Sequence, residues 1–204
     1  MTDTYADMLE SHRTARRASL IASAAEAIEI HGLRSVTIDA MADHAGVAKM
    51  VLYRYFGSKN ALIDAVLTDM VDSLLEVDAL PAPSWKQRLP RTLELARNKR
   101  AALRVLLRQA PYDPRFGRHL DHLHAALAER TIKRVRDMLG DPGLTPGNPE
   151  MLARISSTFM LDAYLGWIDS GDPHRETEFL NWLVASVQSM TRQWWNVPAK
   201  KGRD

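Results

Sequence analysis

The chain has 204 residues, 46% of them hydrophobic and 25% charged, a balance that excludes wholesale disorder and leaves room for one large domain or two smaller ones. It contains no cysteine, which excludes disulfides and thiolate metal sites and suits a reducing compartment. No apolar run approaches the roughly 18 residues that span a bilayer, and the polar start MTDTYADMLESHRTARR has no apolar h-region, so no membrane partner is expected and the expected location is the cytoplasm.

The net charge of +2 says little, but its distribution is segmented. Residues 11–60 hold seven basic and four acidic residues, whereas 61–80 hold five acids and no base. Residues 81–136 carry fourteen bases against four acids, and 137–204 carry six against nine. No stretch alternates apolar and polar residues as a strand would, and helical periodicity runs almost throughout, which predicts an all-α fold of about nine helices. Residues 1–12 are expected to be disordered. Leu20, Ala24, Ala27, Ile28 and Ile30 mark a first helix ending at His31-Gly32, where glycine suits the position after the last turn. Thr37 can cap a short helix to about His44, Ala45-Gly46-Val47 forms a turn, and a second short helix covers about 48–55. Gly57 breaks it. Ser58 caps a longer helix with the face Ala61, Leu62, Ala65, Val66, Met70, Leu74 and Val77.

Leu80-Pro81-Ala82-Pro83-Ser84 is the strongest break, with a helix expected from Ser84 that holds Trp85 in its first turn. Another helix carries Leu103, Leu106 and Leu107 and stops before Pro111. Asp113-Pro114 should open a long helix with the stripe Phe116, Leu120, Leu123, Leu127, Val135 and Met138. Asn148-Pro149 opens the next, which ends near Ser170-Gly171. Asp172-Pro173 starts the last, which reaches about Trp195. Three helices precede Gly57 and six follow it.

The informative segment is 37–56. Ile38, Met41 and Ala42 give the first short helix one apolar edge, and Gly46 can take the positive φ of a tight turn while Val47 tucks inward. Leu52 and Phe56, four apart, form the buried edge of the second, leaving Ala48, Lys49, Met50, Val51 and Tyr53 facing outward at its start. A helix so disposed enters a major groove with its N-terminal residues toward base edges. Helix starts near Thr37, Ala48 and Ser58 offer free N–H groups to phosphate, and Lys59 adds a full charge. Tyr53 and Tyr55 can donate to phosphate oxygens. Arg13, Arg16 and Arg17 either reach the DNA backbone or minor groove or form a solvated helix end.

The pattern Thr-Ile-x-x-Met-Ala-x-x-Ala-Gly-Val-Ala-x-x-x-Leu-Tyr-x-Tyr-Phe-x-Ser-Lys-x-x-Leu resembles the signature of the TetR family of bacterial transcriptional regulators. Counting the first helix, the likeness covers about a quarter of the chain. It implies a homodimer with a DNA-binding domain at 1–57, a connecting helix at 58–80, and a ligand-binding and dimerisation domain at 81–204. Carried over by position, Thr37, Tyr53, Tyr55 and Lys59 would contact phosphates of double-stranded DNA, and Lys49, Met50 and Val51 would lie nearest the bases of a palindromic operator. Bulky Met50 and Val51, where the family often has small residues, suggest contact with thymine methyls.

Residues 81–204 carry no further motif. Their aromatic residues belong to core, interface or pocket. As lining of a pocket for a small-molecule effector we single out Trp85, Arg104, Phe116, Phe159 and Tyr164. Residues 149–168 are apolar nearly all round, with small residues between, and the last helix has a sustained apolar face. Ser156, Ala163, Trp167, Phe179, Trp182, Val187 and Met190 are therefore candidates for a four-helix interface between subunits, the alternative being that both helices complete the monomer core. Arg97, Arg100, Arg104 and Arg108 would form one basic stripe if a single helix ran through them, either solvated, paired with the acidic helix of Asp64, Asp69, Asp72 and Glu76, or serving an anionic ligand. His119, Asp121, His122 and His124 suggest metal ligands, but His124 lies about 200° round the helix from His122, so no metal is expected. No phosphate loop, nucleophile elbow or zinc helix is present, and neither a cofactor nor an enzyme is expected. A ligand-responsive transcriptional regulator, expected to act as a repressor, therefore stands ahead of an enzyme with an appended helix-turn-helix and of an architectural DNA binder.

Overall fold

The computed structural model describes residues 3–81, 85–140 and 148–195. Among them are nine α-helices and three short 3-10 turns, and no strand. The helices are α1 (Asp3–His31), α2 (Ile38–His44), α3 (Lys49–Phe56), α4 (Lys59–Ala79), α5 (Leu89–Asn98), α6 (Arg100–Arg108), α7 (Arg118–Leu139), α8 (Pro149–Ser170) and α9 (Glu176–Trp195). The chain forms two compact units. One joins the residues up to Ser73 with Lys99–Leu120, and the other joins Leu74–Asn98 with the residues from Asp121 onward.

In the first unit the local chemistry sets the helix ends. Gly32, at φ +82°, closes α1, its N–H donating to the Ile28 carbonyl at 2.9 Å. Thr37 caps α2, its hydroxyl accepting from the Ala40 N–H at 3.1 Å. Gly46, at φ +63°, makes the turn, and the Val47 N–H returns to the Ala42 carbonyl at 3.0 Å. Ser58 caps α4 through the Ala61 N–H at 3.1 Å. Leu20, Ile28, Met41, Leu52, Leu62, Ile63, Leu67 and Met70 fill the core together with Leu103 and Leu106 of α6, which packs along α1. Helix α1 starts at Asp3 and so runs through residues expected to be disordered. Residues 7–19 are exposed, so this extension is held by its own backbone bonds rather than by burial. Ile30, placed on the apolar face by spacing, is 66% exposed, and Ala61 is exposed where Ile63 and Leu67 are buried.

Lys99–Leu120 folds with the amino-terminal helices, although the Pro81 break suggested one domain from there to the end. The chain breaks between Asn98 and Arg100, so no single helix carries the four arginines. Arg97 instead pairs with Glu176, Arg104 with Glu29 at 2.6 Å, and Lys99 with Asp69 at 2.6 Å. Asp113-Pro114 does not open the long helix directly. The Asp113 carboxylate accepts from the Arg115 N–H at 2.9 Å and its carbonyl accepts from the Gly117 N–H, forming a tight turn, and α7 begins only at Arg118.

In the second unit, Asn148 caps α8 by accepting from the Met151 N–H at 2.7 Å, with Pro149 in the first turn. Asp172 and Pro173 start a 3-10 turn, which leads into α9. Trp85 likewise sits in a 3-10 turn, Trp85–Arg88, ahead of α5, while Ser84 lies outside the described residues, as does the side chain of Met138. Helices α5, α8 and α9 pack together here. Among the described residues no three His, Asp or Glu side chains converge to hold a metal ion, and no helix is long and apolar enough to cross a membrane. His119 pairs with Asp64 at 2.9 Å, and His124 is buried with Nε2 3.2 Å from the Thr158 hydroxyl.

Candidate nucleic-acid interface and ligand cavity

The first unit presents α3 outward. Leu52 is buried and anchors the helix, while Ala48, Lys49, Met50 and Tyr53 are exposed and Val51 is half-buried. Met50 is 70% exposed, an unusual cost for an apolar side chain that nothing in the unit covers. Ala48 provides no side-chain cap; the Val51 N–H donates to the Ala48 carbonyl at 2.8 Å, while Lys49 and Met50 at the helix start have no capping side chain. Lys49 is not free: its ammonium lies 3.1 Å from the Asp39 carboxylate, whose hydrogen bond and charge raise the lysine above its ordinary pKa. Tyr55 is half-buried, with Arg54 stacked 5.8 Å from its ring centre.

The flanking groups sit around this helix. Arg16 and Arg17 are exposed on α1, and Arg17 lies 5.2 Å over the Phe56 ring, a cation–π contact that ties α1 to the end of α3. Lys59, at the first position of α4, donates to the Arg34 carbonyl at 3.3 Å. Thr37 spends its hydroxyl on its own helix cap.

The second unit is hollow. A cavity of about 550 Å3 is walled by apolar side chains of α4, α5, α7, α8 and α9, among them Leu89, Leu127, Leu152, Leu161 and Val187. Its polar lining includes Thr92, Ser156 and Tyr164. Ser156 and Tyr164 are buried, and neither hydroxyl has a well-formed hydrogen bond. Burial pushes the Tyr164 phenol far above its ordinary pKa, with Thr92 as its polar neighbour, so it stays protonated at every ordinary pH. At the wall formed by the end of α4, Asp78 accepts from Arg134 at 2.7 Å and from Arg130 at 3.2 Å. Burial would raise this carboxyl, but hydrogen bonds and charge from Arg134 and then Arg130 outweigh it and hold the group below its ordinary value.

Of the five candidates for the pocket, Trp85 and Tyr164 line this cavity. Arg104 and Phe116 do not: both belong to the first unit, Arg104 paired with Glu29 and Phe116 buried. Phe159 faces the opposite side of α8, its ring 5.6 Å from Trp182. Two candidates for the subunit interface, Ser156 and Val187, line the cavity instead. The others remain on the outer side of α8 and α9: Trp167 stacks on Phe179 at 4.5 Å, Trp182 is 52% exposed, and Ala163 and Met190 are half-buried. Exposed Met151 and Ile155 extend this apolar face along α8. Sequence reasoning missed Arg88, Asp78 and Arg134, which are distant in sequence and carry no local pattern.

Helix α2, the Gly46 turn and the outward α3, within an all-helical fold among the described residues, have the geometry of a helix-turn-helix DNA-binding protein. Residues 20–66 match the family described as bacterial regulatory proteins, tetR family. The chain is 43% identical over 63 residues to the transcriptional activator FasR of Mycolicibacterium smegmatis, a match over 31% of this chain and 29% of that protein. It is 37% identical over 79 residues to the transcriptional regulator BetI of Escherichia coli, over 36% of this chain and 40% of BetI. The matches thus span less than half the length of these curated relatives. Among solved structures, a tetR-family transcriptional regulator from Streptomyces coelicolor superposes with a TM-score of 0.60 at 20% identity, covering 93% of this chain and 92% of that one. NalD, the secondary repressor of the MexAB-OprM multidrug efflux pump in Pseudomonas aeruginosa, gives 0.58 at 18%, covering 88% and 97%. The structural likenesses extend the shared fold over nearly the whole chain. Residues 20–66 thus match the DNA-binding region of the tetR family, and the chain as a whole shares the fold of these solved regulators.

Proposed function

We propose that the protein is a dimeric transcriptional repressor that holds a palindromic operator and leaves it when a small molecule fills the cavity of the second unit. The observation that carries this reading is the pairing of an outward reading helix, with Met50 and Lys49 at its start, and a separate hollow lined by two buried hydroxyls without partners. The first suits base contact and the second suits a ligand that is largely apolar with a few placed polar groups. Lys49, Met50 and Val51 read bases; Thr37, Tyr53, Tyr55, Lys59, Arg16 and Arg17 hold the backbone, with Ala48 at the helix start. The apolar strip of half-buried Phe159, Trp167 and Phe179 around exposed Trp182 supports dimerisation through α8 and α9, since such an aromatic face suits a partner. The cavity favours a ligand-responsive regulator over an architectural DNA binder, and the printed role of NalD as a repressor agrees in sign, whereas FasR is named an activator.

The effector must prefer a conformation in which the two reading helices are misplaced for their half-sites. Helix α4 starts at Lys59 beside the reading helix and contributes Leu74 and Asp78 to the cavity wall, so one continuous helix serves both ends. The test is to select bound fragments from a random DNA pool, footprint them, and titrate small molecules for release. Two half-sites about one helical turn apart, roughly 34 Å, or a multiple of it are expected. A single unrepeated half-site overturns the dimeric reading. Operator DNA must also weaken the effector by the factor with which the effector weakens the operator; identical effector affinity with and without DNA rejects that molecule as an inducer.

A further inference from the structure

Charge around the cavity is not balanced: Arg88, Arg134 and Arg192 line it against Asp78 and Asp137, and Asp137 is itself paired with Lys133 at 3.0 Å. Asp78 is the carboxylate at the α4 wall, and it already has two arginines, Arg130 at 3.2 Å and Arg134 with bonds at 2.7 Å. A third, Arg88, lines the same cavity, and among the described residues its side chain bonds the Leu80 carbonyl alone, from Nε at 3.0 Å. Among the described residues no carboxylate lies within ion-pair distance of Arg88. The forked end of its guanidinium is therefore left over, next to two cations that share one anion. Burial and the neighbouring charge of Arg134 push Arg88 down from its ordinary pKa, against the weaker pull of Asp78. Excess cation in a partly desolvated wall is costly unless an anion joins it.

The rest of the lining has another character. Leu152, Leu161, Met160 and Val187 offer an apolar bed that no charged ligand needs. Ser156 and Tyr164 add hydroxyls that lack protein partners. Such a combination suits a molecule with two ends, one ionised and one hydrocarbon.

We propose that the effector is an anionic amphiphile, a hydrocarbon-bodied molecule whose carboxylate or phosphate head is taken by Arg88, with its body along Leu152, Leu161, Met160 and Val187. This rests on the proposed function in assigning the cavity to the effector. The head group pairs with the Arg88 fork, a charge-assisted contact that neither the Asp78 pairs nor the Leu80 carbonyl supplies.

The test uses the full chain, with calorimetric titration of dodecanoate, dodecyl phosphate, dodecanol and dodecyltrimethylammonium, each below its micelle concentration. The two anions are expected to bind about tenfold or more tighter than the alcohol, as a charge-assisted hydrogen bond predicts, and the cation weakest. Comparison of the two anions distinguishes a carboxylate source from a phosphate one. Arg88→Met is expected to erase the gap between dodecanoate and dodecanol, mainly by loss of dodecanoate affinity while dodecanol still binds, and Arg88→Lys to restore part of it. Dodecanol affinity reports that the variant cavity is intact. Dodecanol binding as well as dodecanoate, no binding by any probe, or a gap that survives Arg88→Met overturns the assignment. Anion binding that leaves operator affinity unaltered keeps the assignment and overturns the regulatory reading instead, so the two failures are distinct.

Discussion

The two units are packed on opposite principles. Of the twelve largest fully buried side chains, ten lie in the first unit, and only Leu93 and Tyr164 lie in the second. Among the described residues, the four buried polar atoms without a hydrogen-bond partner, on His124, Ser156, Tyr164 and Trp194, are all in the second unit. A surface that reads DNA must hold its side chains in place, and dense packing does that. A site that receives a molecule needs the reverse, unfilled volume and unspent hydrogen bonds. Both units are helical, so the difference lies in how side chains fill the space between helices.

The largest effect expected from this contrast is on stability. Leu67→Ala in the first unit should cost about 3–5 kcal/mol, because the dense core cannot collapse into the void. Leu152→Ala, at the cavity wall, should cost about half that, since one side of the leucine already lacks neighbours. Equal losses in urea denaturation would break the contrast. Next comes Asp78→Asn, which leaves Arg130 and Arg134 without their carboxylate and should cost about 2 kcal/mol near neutral pH. The folded Asp78 carboxyl sits below its ordinary value of 3.8, so its contribution is complete above that value and is lost as pH falls through the lower folded pKa. The stability gap between the parent and the Asn variant should therefore close in strong acid and stay flat above about pH 5; a gap that widens in acid would contradict the pairing.

On DNA, Lys49→Ala or Met50→Ala should alter sequence preference by about 1–2 kcal/mol between sites. Lys59→Ala or Tyr55→Phe should weaken all sites together, with Lys59→Ala lowering the salt slope by about one. Equal loss on operator and random DNA for the Met50 change would remove its base-reading role. The smallest effect is Ser156→Ala, expected to be neutral or stabilising by up to about 1 kcal/mol in thermal unfolding, since it deletes an unpartnered buried hydroxyl. A clear destabilisation would mean that this hydroxyl has a partner in solution.

How far the sequence revealed these features depended on the range of the interactions. Thr37, Gly46, Ser58 and Asn148 act on backbone groups within a few residues, and α2, α3, α4 and α8 begin or turn where those residues indicate. The exposed start of α3 followed from the spacing of Leu52 and Phe56, of which Leu52 is buried and Phe56 half-buried. The cavity did not. Its wall draws residues from five helices scattered along the chain, and an arginine such as Arg88 carries no mark that distinguishes it from Arg104, whose partner Glu29 lies 75 residues away. The break at Lys99 was hidden too, because the residues on either side are good helix formers and the bend is set by packing against other helices.

Asp39 and Lys49 carry a kinetic consequence. Their ion pair spans α2 and α3 on the exposed face, and any DNA that approaches must compete with Asp39 for the lysine. On random sequence a phosphate offers Lys49 little more than the carboxylate does, while Asp39 itself repels the backbone. Under the proposed function, short dwell times on non-operator DNA are therefore expected, lengthened by Asp39→Asn in single-molecule tracking, because that change frees Lys49 for any phosphate.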